Sequence, residues 1–387
     1  MLLDIEQTRE SLEVAARAHT RLLQFGARTG IDPAEAERLY EQGRALAERL
    51  DDIRPLGALV IMAGSVKFWR GDVQGALLRV QEAAQLGDPS EDPDLQTAVW
   101  FGLGFVRAYA APPAEALAAT ERVLEVADGD PDRGAALLGY SVLARTRQVR
   151  AGIMARTGRL PEAAAEVEEA LRLARPKTET DTVAWALAVL PHLDWLRGEG
   201  DRGLGAATEA LRLAEETGNA GALVLALEGV ALAHLAAGLP SQAVNACERA
   251  LGEARERRSG LFEEARLLVH LASARLAGGD LGGALSAADD AVSVARQRGT
   301  PTDECPALLA RARARRGACE PQDAVAADLG AALTLASDMG LLSYEPFIRE
   351  ELARVRGDDA ELREALRLFT AIGATGHARR LGAELAS

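Results

Sequence analysis

Apolar residues recur at helical spacing through segments of 16–18 residues, such as TVAWALAVLPHLDWLRG (182–198) and ALVLALEGVALAHLAAG (222–238). Each segment runs into a glycine and then into a second periodic stretch, the order of helix, turn, helix. Four junctions align directly: TGRLPEAAAEVEEALRLA (157–174), RGEGDRGLGAATEALRLA (197–214), AGLPSQAVNACERALGEA (237–254) and GGDLGGALSAADDAVSVA (278–295). The turn glycine or its equivalent falls at Gly71, Ala111, Gly158, Gly198, Gly238, Gly279 and Glu320, at spacings of 40, 47, 40, 40, 41 and 41. A period this regular is the signature of a stacked repeat array.

Within each unit, small residues keep fixed places. Five positions after the anchor stand Ala76, Ala116, Ala163, Gly203, Ala243, Ala284 and Val325; twelve after it stand Ala83, Val123, Ala170, Ala210, Ala250, Ala291 and Ala332. Small side chains at such spacings let two helices approach closely. The predicted fold is all-α, a right-handed α-solenoid of eight or nine helix pairs. Residues 1–51 read as a capping pair, helices over 4–29 and 33–50, the second opening with Asp32-Pro33 as N-cap and first-turn proline. Residues 52–340 form the array of about seven units, and 341–387 a closing pair (344–355 and 358–372) with a last helix near 374–385. Atypical ends are what a solenoid needs to cover its terminal apolar faces.

These positions resemble the tetratricopeptide repeat (TPR). Its small-residue and glycine places match Gly64 and Gly104 in the first helix, the turn glycines, and both alanine columns of the second helix. The family's large aromatic late in the first helix is replaced by Lys67, Arg107, Met154, Asp194, His234 and Arg275, and the period near 40 exceeds the usual 34. Long repeats of this kind are similar to the arms of large bacterial signal-transduction ATPases. The closing segment, with Leu368, Phe369, Gly373, Ala374, His377, Ala378, Arg379, Leu381, Glu384 and Leu385, is similar to that of bacterial multidomain regulators, cyclase-linked or LuxR-type. The resemblance implies a non-catalytic scaffold that binds a protein segment or effector in a concave groove and serves transcriptional or signalling regulation. It also implies that the chain is a repeat arm or a stand-alone relative of one.

Charge and composition narrow the chemistry. Lys+Arg 44 against Asp+Glu 58 gives −14, the wrong sign for a binder of phosphate backbones. Lysine occurs only at 67 and 177, and neither context is a phosphate-binding loop. The histidines, at 19, 192, 234, 270 and 377, show no His-x-x-x-His spacing, so neither a metal nor a cofactor is expected, and catalysis is not. The three cysteines read as small core filler in a reducing compartment, and the acidic first ten residues point to the cytoplasm. Arg311, Arg313, Arg315 and Arg316 form the one concentrated basic patch, read as a solvated or subunit-contact face.

In a superhelix of helix pairs the first helices line the hollow side. Positions 13, 10, 6 and 3 before each anchor share a stripe. Reading them off gives Phe101, Phe105, Arg145, Gln148, Trp185, His192, Trp195, Glu228, Arg266 and Ser273 as the candidate partner or ligand groove. Aromatic and arginine side chains carry binding energy at interfaces, and Arg145 with Arg266 would suit a carboxylate. Against this stand plainer roles: tryptophans packed between repeats, a structural His192, and solvated arginines. The partner expected is a protein or peptide. Two other functions fit the same pattern, a small-molecule sensor arm of an ATP-dependent regulator and a homo-oligomeric assembly module.

Overall fold

The computed structural model describes residues 8–50, 52–200 and 203–386. The first four predicted residues of the opening helix, 4–7, lie outside the described residues. Twenty helices follow one another, with no strand among the described residues. They pair as α1 (Arg9–Thr29) with α2 (Pro33–Glu48), α3 (Ile53–Trp69) with α4 (Val73–Gly87), and α5 (Pro93–Ala110) with α6 (Pro113–Ala127). A short α7 (Ala135–Leu138) interrupts before α8 (Val142–Arg156) and α9 (Leu160–Ala174). Then come α10 (Thr180–Arg197) with α11 (Gly203–Thr217), α12 (Ala220–Ala236) with α13 (Pro240–Arg257), and α14 (Glu264–Ala277) with α15 (Leu281–Arg298). The chain ends with α16 (Pro301–Gly317) and α17 (Gln322–Met339), α18 (Glu345–Arg356) and α19 (Asp359–Ala371), and the single α20 (Thr375–Leu385).

The pairs stack into an α-solenoid, and the small-residue columns explain how. Ala76, Ala116, Ala163, Ala243 and Ala284 are fully buried, as are Ala83, Val123, Ala170, Ala210, Ala250, Ala291 and Ala332. At Gly104 a methyl group would press on Thr120 of the facing helix, so the bare glycine lets the two backbones come close there. The turn glycines 71, 158, 198, 238 and 279 all take positive φ, between 68° and 83°, which closes one helix and turns the chain into the next. N-caps begin many of the helices: Asp52, Asp72, Asp92, Asn219, Asp280 and Asp358 each accept from backbone N–H groups of the first turn, each cap contributing about 1 kcal/mol.

Two departures from the period have physical causes. The spacing of 47 holds α7 and its flanking loop, which clasps the first helix: Gln24 Nε2 donates to the Leu138 carbonyl at 2.6 Å and Arg21 Nη2 to that of Ala136 at 3.3 Å. In the last unit the left-handed residue is Cys319 (φ 57°), exposed in the turn after α16, so only Cys247 and Cys305 are the buried filler expected of all three. The basic patch also differs from expectation. Arg311 and Arg315 pair with Asp328 at 2.6 and 3.1 Å, while Arg313 and Arg316 share Glu351 at 2.9 and 3.0 Å. Carboxylates of the next helices, out of view in a one-helix reading, turn the patch into bridges within the pair, to Asp328 of α17, and between repeats, to Glu351 of α18.

Several of the first helices, α3, α5 and α12 among them, are apolar on nearly every side. α12, for example, buries Leu223, Val224, Ala226, Leu227, Glu228, Ala231, Leu232 and Ala233. A helix with no polar face is covered all round, and here the cover on the hollow side comes from the solenoid itself. Its coil is tight enough for distant repeats to touch. The Tyr109 hydroxyl donates to Glu263 Oε1 at 3.0 Å, Thr302 Oγ1 to the Tyr109 carbonyl at 3.0 Å, and Ser259 Oγ to the Ala27 carbonyl at 2.8 Å. Gln74 Nε2 reaches the Gly299 carbonyl at 3.0 Å, and the Ser343 N–H that of Arg156 at 3.2 Å. In place of the expected open groove, the concave face is closed into an interior.

One contact across the closure is sharply testable. The Trp69 ring of α3 lies on the bare backbone of Gly221 in α12, where a methyl group would overlap it. Gly221→Ala should therefore destabilise the fold by roughly 1–3 kcal/mol, as overpacking does. Gly252 in α13 faces nothing within 4 Å, so Gly252→Ala should stabilise by about 0.5–1 kcal/mol. Urea unfolding of both variants checks the pair; equal shifts would show that the closure does not bear on Gly221.

Candidate functional site

Six successive first helices, α3, α5, α8, α10, α12 and α14, turn side chains toward the axis of the coil, around a cavity of about 60 Å³. Phe105, Arg145, Gln148, Trp185, His192, Glu228 and Arg266 all line it, so the predicted stripe converges on one place. Phe101 sits just beside it, stacked on Phe105 at 6.1 Å and edge-on to Tyr140 at 6.0 Å. Two of the predicted residues lie elsewhere. Trp195 stacks on Phe347 of α18 at 5.4 Å, packing between repeats, and Ser273 returns its hydroxyl to the Val269 carbonyl of its own helix at 2.9 Å.

The charged groups of the wall divide into two kinds. Arg266 is committed: it pairs with Glu263, and its Nε lies 3.4 Å from Glu228. Glu228 also meets His270 Nε2 at 3.1 Å. Burial alone would raise the Glu228 carboxyl, but Arg266 and His270 outweigh it and hold the group below the usual carboxylate range. Arg145 is different. It is 3% exposed, its Nη1 donates to Gln148 Oε1 at 2.7 Å, and its Nε has no partner. The guanidinium carbon lies over Trp185, 3.5 Å from the ring centroid, with the Phe105 ring at 5.7 Å. Burial pushes it down to about 10, so it is still a cation at neutral pH.

Arg156, at the end of α8, repeats this arrangement. It is 4% exposed, stands over the Tyr109 ring at 5.3 Å, makes a long bond from Nε to the Gly152 carbonyl at 3.3 Å, and leaves Nη1 unpartnered. No carboxylate comes within ion-pair distance of Arg145 or Arg156 among the described residues. His192 completes this wall with Nε2 covered and unpartnered; burial, reinforced by the nearby Arg266, pushes its imidazole down to about 3, so it is neutral.

Sequence reasoning missed Trp69, Tyr109 and Arg156, and all three stand two residues before an anchor. Eleven residues at about 100° each return a helix to within about 20° of its starting direction. Position −2 therefore continues the stripe begun at −13 better than position −3 does. Phe262, also on the wall, comes from the one-turn 3-10 segment before α14, where no repeat register reaches.

No protein-family model matches the chain, and no curated protein matches its sequence. Solved structures share its architecture. A Rap protein complexed with competence and sporulation factor superposes with a TM-score of 0.62 at 12% identity, covering 98% of this chain and 99% of that one. NprR in complex with its cognate peptide NprX gives 0.51 at 11% identity over 94% and 88%. Aspartyl phosphate phosphatase F from Bacillus subtilis gives 0.50 at 9% identity over 96% and 97%. At these identities the likeness is one of fold, and the chain has the tetratricopeptide-repeat fold, extended over its whole described length.

The neutral histidine gives the site a pH signature. An unfolded His192 takes up a proton near pH 6.5, whereas the folded one refuses it until about pH 3. Stability from this group is thus intact above pH 6.5 and lost as pH falls through that window, by up to about 1.4 kcal/mol per pH unit. His192→Gln should flatten the fall measured by chemical denaturation between pH 6 and pH 4. An unchanged slope would mean that the imidazole protonates in the folded state.

Proposed function

We propose that this chain is a non-catalytic regulatory solenoid that captures a protein segment or effector in its interior. The observation that carries the reading is Arg145, a buried cation stacked on Trp185 at the cavity with no carboxylate to balance it. A buried unpaired charge costs several kcal/mol unless something compensates it, and an incoming anionic or polar group would do so. The fold likeness supports the reading, since a Rap protein and NprR of this architecture are each described with a bound factor or peptide.

Occupancy would change the shape of the coil, because the hydrogen bonds that close it run between repeats more than 150 residues apart. In this reading residues 1–51 and 341–387 are the two caps of the 52–340 array, and regulation of transcription or signalling is the output. The small cavity favours the sensor reading as well, in which the effector is a small molecule. Val14, Leu22 and Phe25, exposed on α1, favour a homo-oligomeric contact in addition. No described helix is long and apolar enough to cross a membrane.

Capture from cell extract by the parent chain, with Arg145→Ala as matched control, tests the proposal. The partner should bind the variant at least tenfold more weakly, and the parent should become more compact or more open in small-angle scattering when loaded. Equal retention by the two chains would remove the interior from the binding site. A low-molecular-mass fraction that raises Tm by mass action would select the sensor.

A further inference from the structure

We propose that a proton-coupled latch shuts the coil: the seam between early and late repeats closes around Asp303 with a proton on its carboxyl, and opening the seam releases that proton. The latch governs access to the interior and holds whatever the interior takes.

The seam runs from turn to turn. A methyl group on Gly30 would strike the Arg257 carbonyl, one on Gly71 the Arg298 side chain, one on Gly158 Ile372, and one on Gly198 His377. These turns of the early pairs are thus pressed on repeats one circuit later, whereas Gly238 and Gly279, the same turns in later pairs, face open space. In the unit anchored at Ala111 the contact is made by Tyr109, whose carbonyl accepts from Thr302 and whose hydroxyl donates to Glu263. Asp303 follows Thr302 in the first turn of α16 and so stands in the middle of the seam.

Asp303 is wholly buried, and neither of its oxygens is met by a donor among the described residues. Its surroundings come from both sides of the seam. Early repeats bring Tyr109 of α5 and Arg156 of α8; late repeats bring Glu228 of α12, Arg266 of α14, Arg298 of α15 and Tyr344 before α18. These groups do not balance an ionised Asp303. Arg266 serves Glu263 and Glu228, Arg298 serves Glu264, and Arg156 lies beyond ion-pair distance with one nitrogen unpartnered. His270 bonds Glu228, and burial pushes the Tyr109 and Tyr344 hydroxyls up, so both are neutral. A buried carboxylate with neither ion pair nor hydrogen bond is costly, and taking up a proton relieves the cost. Burial accordingly raises the Asp303 carboxyl above its ordinary range; Arg266, Arg156 and the Thr300 hydroxyl oppose the rise without cancelling it.

When the coil opens, Tyr109 and Arg156 withdraw with the early repeats, water reaches the start of α16, and Asp303 ionises at the ordinary carboxylate value of about 4. The closed coil is therefore fully favoured below that pH. It loses ground as pH rises through the higher closed-state value, by up to about tenfold in the open-to-closed ratio per pH unit. This dependence runs opposite to that of His192, which weakens the fold as pH falls.

Spin-label distances across the seam test the latch in the full chain. Labels go on Leu78→Cys in α4 and Asp290→Cys in α15, both exposed, with the exposed native thiol removed by Cys319→Ser. Between about pH 5 and pH 9 this labelled parent should pass from a short to a long distance, its open-to-closed ratio climbing about tenfold or more. Asp303→Asn in the same background cannot ionise and should hold one ratio throughout; Asp303→Leu should do the same and serves if the Asn variant misfolds. Arg156→Met removes a nearby cation, so its ratio should climb further than that of the parent, whereas a merely structural arginine would shift the ratio equally at every pH. Equal climbs in the parent and the Asp303 variants would overturn the latch. So would a parent distance that stays constant over this range, or an Arg156→Met ratio that climbs no further than the parent's.

Discussion

Close approach of paired helices governs everything else in this molecule. The buried alanine columns bring each second helix against its first with no side chain between them, and backbone proximity of that kind fixes the crossing of each pair. Repeated through nine pairs, a constant crossing becomes a constant curvature. Curvature alone decides that α3 meets α12 and that α5 meets α16. Had the columns held leucine, the same apolar helices would stack in a looser coil, and Trp69 would have no Gly221 to rest on.

Closure produces an interior that holds charges of both signs, Arg145 and Arg156 together with Glu228, Glu263 and Asp303. The protein carries −14 overall, yet its axis holds two arginines without carboxylate partners. Aromatic faces make this tolerable: a desolvated guanidinium over an indole or phenol ring recovers about 2 kcal/mol, less than full ionic pairing would give. Elsewhere the structure pairs its buried arginines well. Arg150, for instance, meets Glu166 at 2.8 Å. Arg145 keeps its unbalanced charge at the cavity, where proteins place features that serve binding at the expense of stability.

Most of the architecture was legible in the sequence because it is local. Helix pairing, the period, the turn glycines and the caps each depend on residues a few turns apart, and the expected helices at 33–50, 344–355 and 358–372 match α2, α18 and α19 to within two residues or so. The convergence of Arg145, Trp185, His192, Glu228 and Arg266 was legible too, since a fixed register points one stripe at the axis. What escaped was whatever depends on another helix, near or distant, and one choice of register. The absence of a polar face on ALVLALEGVALAHLA was the available sign that the groove would be covered. Pairing of the basic patch to Asp328 and Glu351 could not be read from α16 alone, and Arg156 was lost to a choice of −3 over −2 in the helical register.

The long-range bonds that shut the coil also set how many repeats it can hold. Ordinary solenoids behave as nearly one-dimensional stacks, with each unit answering only to its neighbours, so units can be gained or lost with modest effect. Here the Tyr109 hydroxyl must find Glu263 and the Ala27 carbonyl must find Ser259. One inserted unit would rotate every later repeat out of reach of its counterpart. Array length in this molecule is therefore a geometric constant: a change in the wall of the cavity leaves the closing bonds in place, whereas an added or lost unit would break them.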